Sequence, residues 1–408
     1  MESAVHTQLM TYLVNNKLIN DTQFGYRKHR STQQATTLLT DYIRKSVDNK
    51  KLVGAVFIDL SRAFDTISHS MLINKLPSYG IIHAELEWFT SYLFDRRQLV
   101  QVNNNQSEET YLLSGVPQGS LLGPLLFSIF FNDFKDCIQE AKVLMYADDT
   151  VIYLKDENII QLELKLTKEM ENVKKYLYDN ELVINLKKGK TETMLFTTAK
   201  RHSKLPKPFK IKFNDEVINN TTTYTYLGNL IDETMTMNDN FQSFYRKASS
   251  RINLLGKIRN LVTADISMKI YRTMILPIML YCSITRMNMT KTQLNRLCAL
   301  ERRVSRIIGE DKKVPCTANL MKKSACKLVR DIIDEKIENK IFYNYFELSK
   351  HSHDTRNNSF MIRLPKIRSE FGKKGFYFQG GKIYNDLPLE LRNSESKSFE
   401  ILLKAYFE

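Results

Sequence analysis

The sequence predicts an α+β fold, and three observations carry the prediction. Up to about residue 196, stretches of helical spacing alternate with short apolar strands; beyond about residue 240 helical spacing takes over. The chain has 408 residues with 43% apolar and 26% charged content, enough for two or three domains with sizeable cores and too apolar for a disordered chain. Two apolar runs, Val143-Leu144-Met145 and Thr150-Val151-Ile152-Tyr153-Leu154, are pinched at Asp148-Asp149, as in a β-hairpin with carboxylates at its tip.

Each element follows from its pattern. Residues 1–20 and 33–48 read as helices from Leu9, Tyr12 and Leu13, then Leu38, Leu39, Tyr42 and Ile43. Val53 to Leu60 reads as a buried strand, and 69–95 as two helices joined near Gly80. Residues 98–103 and 109–113 form a hairpin across a polar turn, and a helix follows Pro124. After the acid-tipped hairpin, Ile159, Leu162, Leu166, Met170, Val173 and Leu177 mark a helix over 158–180. Short strands at 183–186 and 193–196 complete a sheet domain covered on one face by helices. Residues 199–212 read as a basic linker (Lys200, Arg201, Lys204, Lys207, Lys210, Lys212). Helices are expected at 241–260, 264–281, 290–308 and 328–349, with Gly309 stopping the third. Residues 355–408 are mixed, with aromatics around Gly372, Gly375, Gly380 and Gly381.

The formal charge of +15 favours an anionic partner, with nucleic acid the first candidate; a basic chain that is merely soluble is the plainer alternative. The five cysteines contain no CxxC pair, and Cys316, Cys326 and His351 are too loosely spaced for a zinc knuckle, so they read as reduced thiols of an intracellular protein. Met1-Glu2-Ser3-Ala4 opens no signal peptide, and the most apolar stretch, Leu121 to Phe131, is too short to span a bilayer. No membrane partner is expected.

Crowding two like charges is expensive unless a cation neutralises them, so Asp148-Asp149 asks for a metal. Asp59 is a second isolated acid, ending the apolar strand Ala55-Val56-Phe57-Ile58-Asp59-Leu60. Set against the hairpin tip, it makes three carboxylates converge. Mg²⁺ takes hard oxygen ligands, and two such ions about 3.5–4 Å apart can activate an attacking oxygen and stabilise a leaving one, the chemistry of nucleotidyl transfer. Between these acids lies Ser114-Gly115-Val116-Pro117-Gln118-Gly119-Ser120, alone no more than a Gly/Pro turn.

Together these segments reach a family. Phe57-Ile58-Asp59-Leu60-Ser61-Arg62-Ala63-Phe64-Asp65, then Gly115 to Ser120, then Tyr146-Ala147-Asp148-Asp149 closely resemble three central motifs of reverse transcriptases, in order and spacing. Gln23-Phe24-Gly25-Tyr26-Arg27-Lys28-His29-Arg30-Ser31-Thr32 resembles the fingers motif of non-LTR (LINE-like, jockey-like) retrotransposon enzymes. Leu182-Val183-Ile184-Asn185-Leu186 with Lys190-Thr191 resembles their strand-and-lysine motif, and Tyr226-Leu227-Gly228 their primer-contacting hairpin. Tyr384-Asn385-Asp386-Leu387-Pro388 is similar to their C-terminal tail.

The resemblance implies a right-hand polymerase: partial fingers plus palm over 1–231, a helical thumb or connection over 232–349, and a tail over 350–408. It implies RNA-directed DNA polymerase activity on an RNA template, a DNA primer and dNTPs, with two Mg²⁺ ions (Mn²⁺ as the alternative). Asp59 and Asp148 are then the metal-holding catalytic acids, with Asp149 adjacent and the Leu60 carbonyl on the second ion. Phe64 matches the aromatic gate against a 2′-OH, with core packing as its alternative. Gln118 and Gly119 lie against the new base pair and sugar. Lys190 sits near the triphosphate or is simply solvated. Arg27, Lys28 and Arg30 contact phosphates, and Tyr226, Leu227 and Gly228 the primer.

In the helical part, Arg246, Lys247, Arg251, Lys257 and Arg259 share a helix with Phe244, Ile252, Leu255 and Ile258, as suits a thumb gripping a duplex backbone; Arg302, Arg303 and Arg306 are a second basic cluster. The resemblance also implies an N-terminally truncated chain, lacking the earlier fingers motif and the upstream endonuclease, with a nuclear location. Two alternatives stand beside the enzyme: an inactive remnant that binds nucleic acid without turnover, and a telomerase-like or maturase-like relative.

Overall fold

The computed structural model describes residues 1–205, 208–309, 312–337, 339–349 and 360–407; Lys207 and His351 of the sequence reading lie outside them. The first half runs α1 (Glu2–Asn15), α2 (Thr32–Asp48), β1 (Leu52–Ile58), α3 (His69–Lys75), α4 (His83–Leu93), β2 (Arg97–Gln98), β3 (Gln101–Val102), β4 (Asn105–Gln106), β5 (Thr110–Tyr111), α5 (Leu122–Phe130), β6 (Lys142–Tyr146), β7 (Asp149–Asp156), α6 (Ile159–Asp179) and β8 (Glu192–Phe196). Then come α7 (Ala199–His202), β9 (Lys212–Phe213), β10 (Glu216–Val217), β11 (Thr223–Tyr226), β12 (Asn229–Asp232), α8 (Asn238–Ile258), α9 (Ala264–Ile270), α10 (Leu276–Leu280), α11 (Lys291–Ile308) and α12 (Thr317–Ile333). The tail adds β13 (Glu347–Leu348), β14 (Ile362–Arg363), α13 (Glu370–Lys373), α14 (Phe376–Asn385), α15 (Leu389–Arg392) and α16 (Ser396–Phe407). The fold class is α+β, as the pattern predicts. Among the described residues no helix is long and apolar enough to cross a membrane.

The chain divides into two compact units interleaved in sequence. The first comprises Met1–Arg30, Gly54–Leu195 and Pro206–Thr221. Its centre is a four-stranded sheet in the order β6-β7-β1-β8. β1 is buried along its whole length, as a near-continuous apolar strand must be. α6 lays Leu162, Leu166, Met170, Val173 and Leu177 into the core. α5 is buried throughout, with Pro124 in its first turn, where a missing N–H costs nothing. Phe127, Phe131 and Phe134 stack in series, and Tyr176 of α6 meets the last two edge-on.

Three expected elements differ here. Residues 183–186 form no strand but run extended beside the end of β1, through Ser61 N–H to Val183 O (2.8 Å) and Asn185 N–H to Asp59 O (2.8 Å). The hairpin over 98–113 is two short ladders, β2 with β5 and β3 with β4. The basic linker contains α7 and leads into a β9–β10 hairpin turned at Asn214 and Asp215, both at positive φ (51° and 64°). Asn-Asp was a readable turn signal.

The second unit comprises Ser31–Val53, Phe196–Leu205 and Thr222–Glu408. α2 opens with a capping box in which the Ser31 hydroxyl and Gln34 side chain satisfy each other's backbone N–H groups. The helical core gathers Phe244, Ile252 and Leu255 of α8 with Tyr271, Met279, Leu297, Val304 and Met321. The expected helix over 264–281 is broken by a π-helical turn at Tyr271–Ile275, because Pro277 has no N–H to continue the i→i−4 ladder. The helix expected over 328–349 is α12, placed eleven residues earlier: Leu320, Met321, Ala325, Leu328, Val329 and Ile332 supply its buried stripe, and Glu335 at φ 53° turns the chain away. Gly309 does end α11.

Two acids on α2 anchor the tail. Asp41 accepts the Phe376 and Tyr377 N–H groups at 2.7 and 2.6 Å, at the start of α14, together with the Tyr345 hydroxyl. Asp48 accepts the Arg368 and Ser369 N–H groups at 3.1 and 2.8 Å. Asn385, from the tail motif, clasps β14 through both its amide groups to Ile362 (2.8 and 2.9 Å). Asp41→Ala strands buried N–H and O–H donors, so unfolding in urea is expected to show a loss of roughly 3 kcal/mol. A variant as stable as the parent would show that this anchor contributes nothing.

Candidate active site

The sheet order builds the site. β7 lies between β6 and β1, so the tip of the β6–β7 hairpin and the end of β1 are neighbours. β6 and β7 pair antiparallel with Tyr146 opposite Asp149, leaving Ala147-Asp148 as a two-residue turn; Ala147 takes φ 56°. Asp59 follows the last residue of β1, where its backbone is pinned by Asn185 N–H (2.8 Å) and by the Thr191 hydroxyl.

The acids act on one another. Burial and the Asp59 charge push the Asp148 carboxyl up, against the pull of backbone N–H groups and Lys190. Burial, then Asp148, then Asp59 push Asp149 up to about 6, again opposed by Lys190. Among the described residues, no three His, Cys, Asp or Glu side chains close into a ligand group. Asp59 is already engaged, its Oδ2 by the Asn185 amide at 3.1 Å and its Oδ1 by Lys190 Nζ at 3.5 Å. Asp148 belongs to the turn, whereas Asp149 is the first residue of β7. What remains is a crowded set of hard oxygen donors. That suits a cation whose other ligands come from substrate phosphate and water.

The loop 114–120 folds onto the turn after β1. Gly115 N–H bonds Ile67 O at 2.8 Å and Val116 N–H bonds Phe64 O at 2.9 Å. Gly115 is required here: it sits at φ 89°, and a Cβ would lie 2.8 Å from the Asp65 carbonyl oxygen. Gln118 is exposed and donates its amide to Asp65 Oδ1 at 2.7 Å; beside Gly119 the space is open. Phe64 is half-buried and stacked on Phe127 at 4.6 Å, so core packing and an exposed edge coexist. Leu60 is buried and bridges Ile184. Lys190 is exposed yet paired with Asp59, between the two roles expected of it.

The other residues named from the sequence are placed as follows. Arg30 is buried, pairs with Asp21 at 2.9 Å and lies over Phe24. Arg27 donates to Asn20 O at 2.9 Å. Both are internal struts, and only Lys28 of this trio is exposed. Within the second unit, Tyr226 and Leu227 are buried, because the two-residue turn Leu227-Gly228 directs their side chains into the core; Gly228 alone is exposed. Arg246, Lys247 and Arg251 stand on the exposed face of α8.

Three residues near the acids carried no assigned role. Asn185, a lone amide in an apolar stretch, holds Asp59. Gln23 Oε1 accepts the Ala147 N–H at 3.0 Å and the Gly25 N–H at 2.9 Å, clamping the Ala147-Asp148 turn. Tyr26, at φ 56°, has its hydroxyl pushed up by burial and by Asp148. For Asn185 the signal was the one that exposed Asp59, a polar group between apolar neighbours; Gln23 and Tyr26 sit in a polar segment that carries no such mark.

Acids at adjacent strand ends, backed by a Gly-Val-Pro-Gln-Gly loop, define a polymerase-type palm. Residues 1–231 match the family described as "Reverse transcriptase (RNA-dependent DNA polymerase)", and the chain belongs to that family. It is 28% identical over 326 residues to "Probable RNA-directed DNA polymerase from transposon BS" of Drosophila melanogaster, covering 76% of this chain and 34% of that protein. It is 26% identical over 320 residues to "RNA-directed DNA polymerase from mobile element jockey" of Drosophila funebris, covering 76% of this chain and 34% of that protein. The chain thus spans about a third of the length of these relatives. Among solved structures, telomerase from Candida tropicalis with a telomeric RNA fragment gives a TM-score of 0.41 at 11% identity, over 100% of this chain and 56% of that one.

Proposed function

We propose that this chain is the polymerase part of a non-LTR retrotransposon protein and catalyses RNA-directed DNA synthesis. The reading rests on one observation above others: β1 and the β6–β7 hairpin bring Asp59 into electrostatic reach of Asp148 and Asp149. Asp59 and Asp148 would hold Mg²⁺, with Asp149 less directly engaged and the Leu60 carbonyl as a further ligand. When bound, the metal lowers the pKa of a primer 3′-OH and neutralises charge at the leaving pyrophosphate.

The chain's own groups do the rest. Asn185 and Lys190 orient Asp59. Phe64, backed by Phe127, fills the space a ribonucleotide 2′-OH needs. Gln118 leaves Asp65 to meet the new base pair, beside the open space at Gly119. Lys190, a mobile point charge, turns from Asp59 toward the triphosphate. Lys28, Gly228, Arg246, Lys247 and Arg251 meet the RNA template and DNA primer. The element reading places this work in the nucleus.

The test is extension of a DNA primer on an RNA template by the purified chain with dNTPs and Mg²⁺. Extension that EDTA and Asp59→Asn both abolish is the expected result. Firm primer–template binding without extension would instead establish a binding remnant.

A further inference from the structure

The second unit contains a cavity of about 440 Å³ between the β11–β12 hairpin, α8 and α10; the polymerase reading uses Gly228, Lys247 and Arg251 of its lining for duplex contact and gives Arg286 behind them no role. Its polar lining includes Asn229, Ser243, Lys247, Arg251, Tyr281 and Arg286, with no carboxylate among the described lining residues. Lys247 and Arg251 stand at its exposed side, and Arg251 is steadied by a 2.7 Å bond to Met274 O.

Arg286 is the unusual member. It is 6% exposed, donates to Asn240 Oδ1 at 3.2 Å and Met279 O at 2.8 Å, and lies 4.4 Å from the Phe244 ring centroid. Its Nε–H is buried with no hydrogen-bond partner. Every one of these neighbours is neutral. A buried guanidinium is normally matched by an acid, since an unpaired buried charge is costly. Burial pushes Arg286 down to about 10, which leaves it protonated at neutral pH; the titratable neighbour opposing that shift is the Cys282 thiol.

We propose that this cavity is a binding site for a phosphomonoester dianion, with Arg286, Lys247 and Arg251 supplying the countercharge. A dianion answers three cations better than the single charge of a phosphodiester. The same chemistry has two sources, a free nucleotide or phosphate and the phosphorylated end of a strand. The cavity shares no lining residue with Asp59, Asp148 or Asp149, so the proposal goes beyond the polymerase reading.

Methyl phosphate and dimethyl phosphate, at matched ionic strength, are the probes, read by titration calorimetry and thermal shift on the full chain. Binding of the monoester at least tenfold tighter than the diester is expected, and Lys247→Ala and Arg251→Ala should each weaken it about tenfold. Lys247 and Arg251 are exposed and their replacement spares the fold, whereas Arg286 is buried and holds Asn240 and Met279 O. Asp148→Asn should bind methyl phosphate as the parent does, so failure of polymerisation and failure of this site are separable. Equal binding of the two probes, no binding, or undiminished binding in both variants would overturn the proposal. A short oligonucleotide with a 5′-phosphate that outcompetes its 5′-hydroxyl twin supports a strand end as the source; equal competition supports a free small phosphate.

Discussion

Asp148→Asn is expected to abolish primer extension, by roughly 10³-fold, while making the metal-free chain more stable. The two effects have one cause. Asp59, Asp148 and Asp149 repel one another, and burial at the turn sharpens the repulsion. An amide keeps the shape and the backbone hydrogen bonds but removes one of the like charges and a metal-holding oxygen anion. The gain should be about 1 kcal/mol, reduced from the full shift because Asp149 is exposed to screening solvent. The pH dependence has a fixed sign. Asp149 titrates near 6 in the fold against 3.8 ordinarily, so the folded chain holds a proton that the unfolded chain releases. Stability of the metal-free chain therefore falls as pH rises through that window, and falls less in the variant. Urea midpoints at several pH values, with and without Mg²⁺, check this: Mg²⁺ should stabilise the parent more than the variant. A variant less stable than its parent would remove repulsion among the acids from the account.

What could be read from the sequence was whatever a single segment states about itself. Asp59 and Asp148-Asp149 stood out because acids interrupt apolar runs, and α6, α8 and α11 because their apolar residues repeat at helical spacing. What could not be read was the partner. Arg30 and Lys28 look alike in sequence, yet Arg30 is spent on Asp21 and Lys28 is exposed; only the fold of the intervening turn decides. Asp41 and Asp48 look like polar residues on a helix and are instead caps for a tail more than 300 residues away (separations of 335 and 321). α12 begins eleven residues before the expected helix because its apolar stripe runs from Leu320 to Ile332 and the chain turns at Glu335. The π turn follows from Pro277, a visible residue whose effect depends on the helix continuing through it.

The fingers motif makes the second strong expectation. Gly25→Ala should lower the extension rate by about 10²-fold with little change in primer–template affinity. The Gln23-Phe24-Gly25 segment lies directly on the catalytic turn. Phe24 N–H bonds Met145 O at 2.7 Å, Met145 N–H bonds Thr22 O at 2.9 Å, and Gln23 Oε1 takes the Ala147 N–H at 3.0 Å. A Cβ on Gly25 would stand 2.5 Å from Ala147 N and 3.1 Å from the Tyr146 carbonyl carbon, both backbone atoms that cannot rotate away. Either the segment lifts and the Gln23 clamp is lost, or the turn shifts and takes Asp148 with it. Both displace Asp148 by a fraction of an ångström to an ångström, enough to cost reaction geometry without touching the residues proposed to grip the duplex. Gly256→Ala in α8 is the matched control, because its Cβ meets only Ile307 Cδ1 at 3.4 Å. There alanine favours the helix, so activity should hold and stability should rise slightly. Single-turnover extension rates beside primer–template affinities separate the two outcomes. Parental rates from Gly25→Ala would mean that the motif does not set the position of Asp148, and that its contacts with the turn serve stability alone.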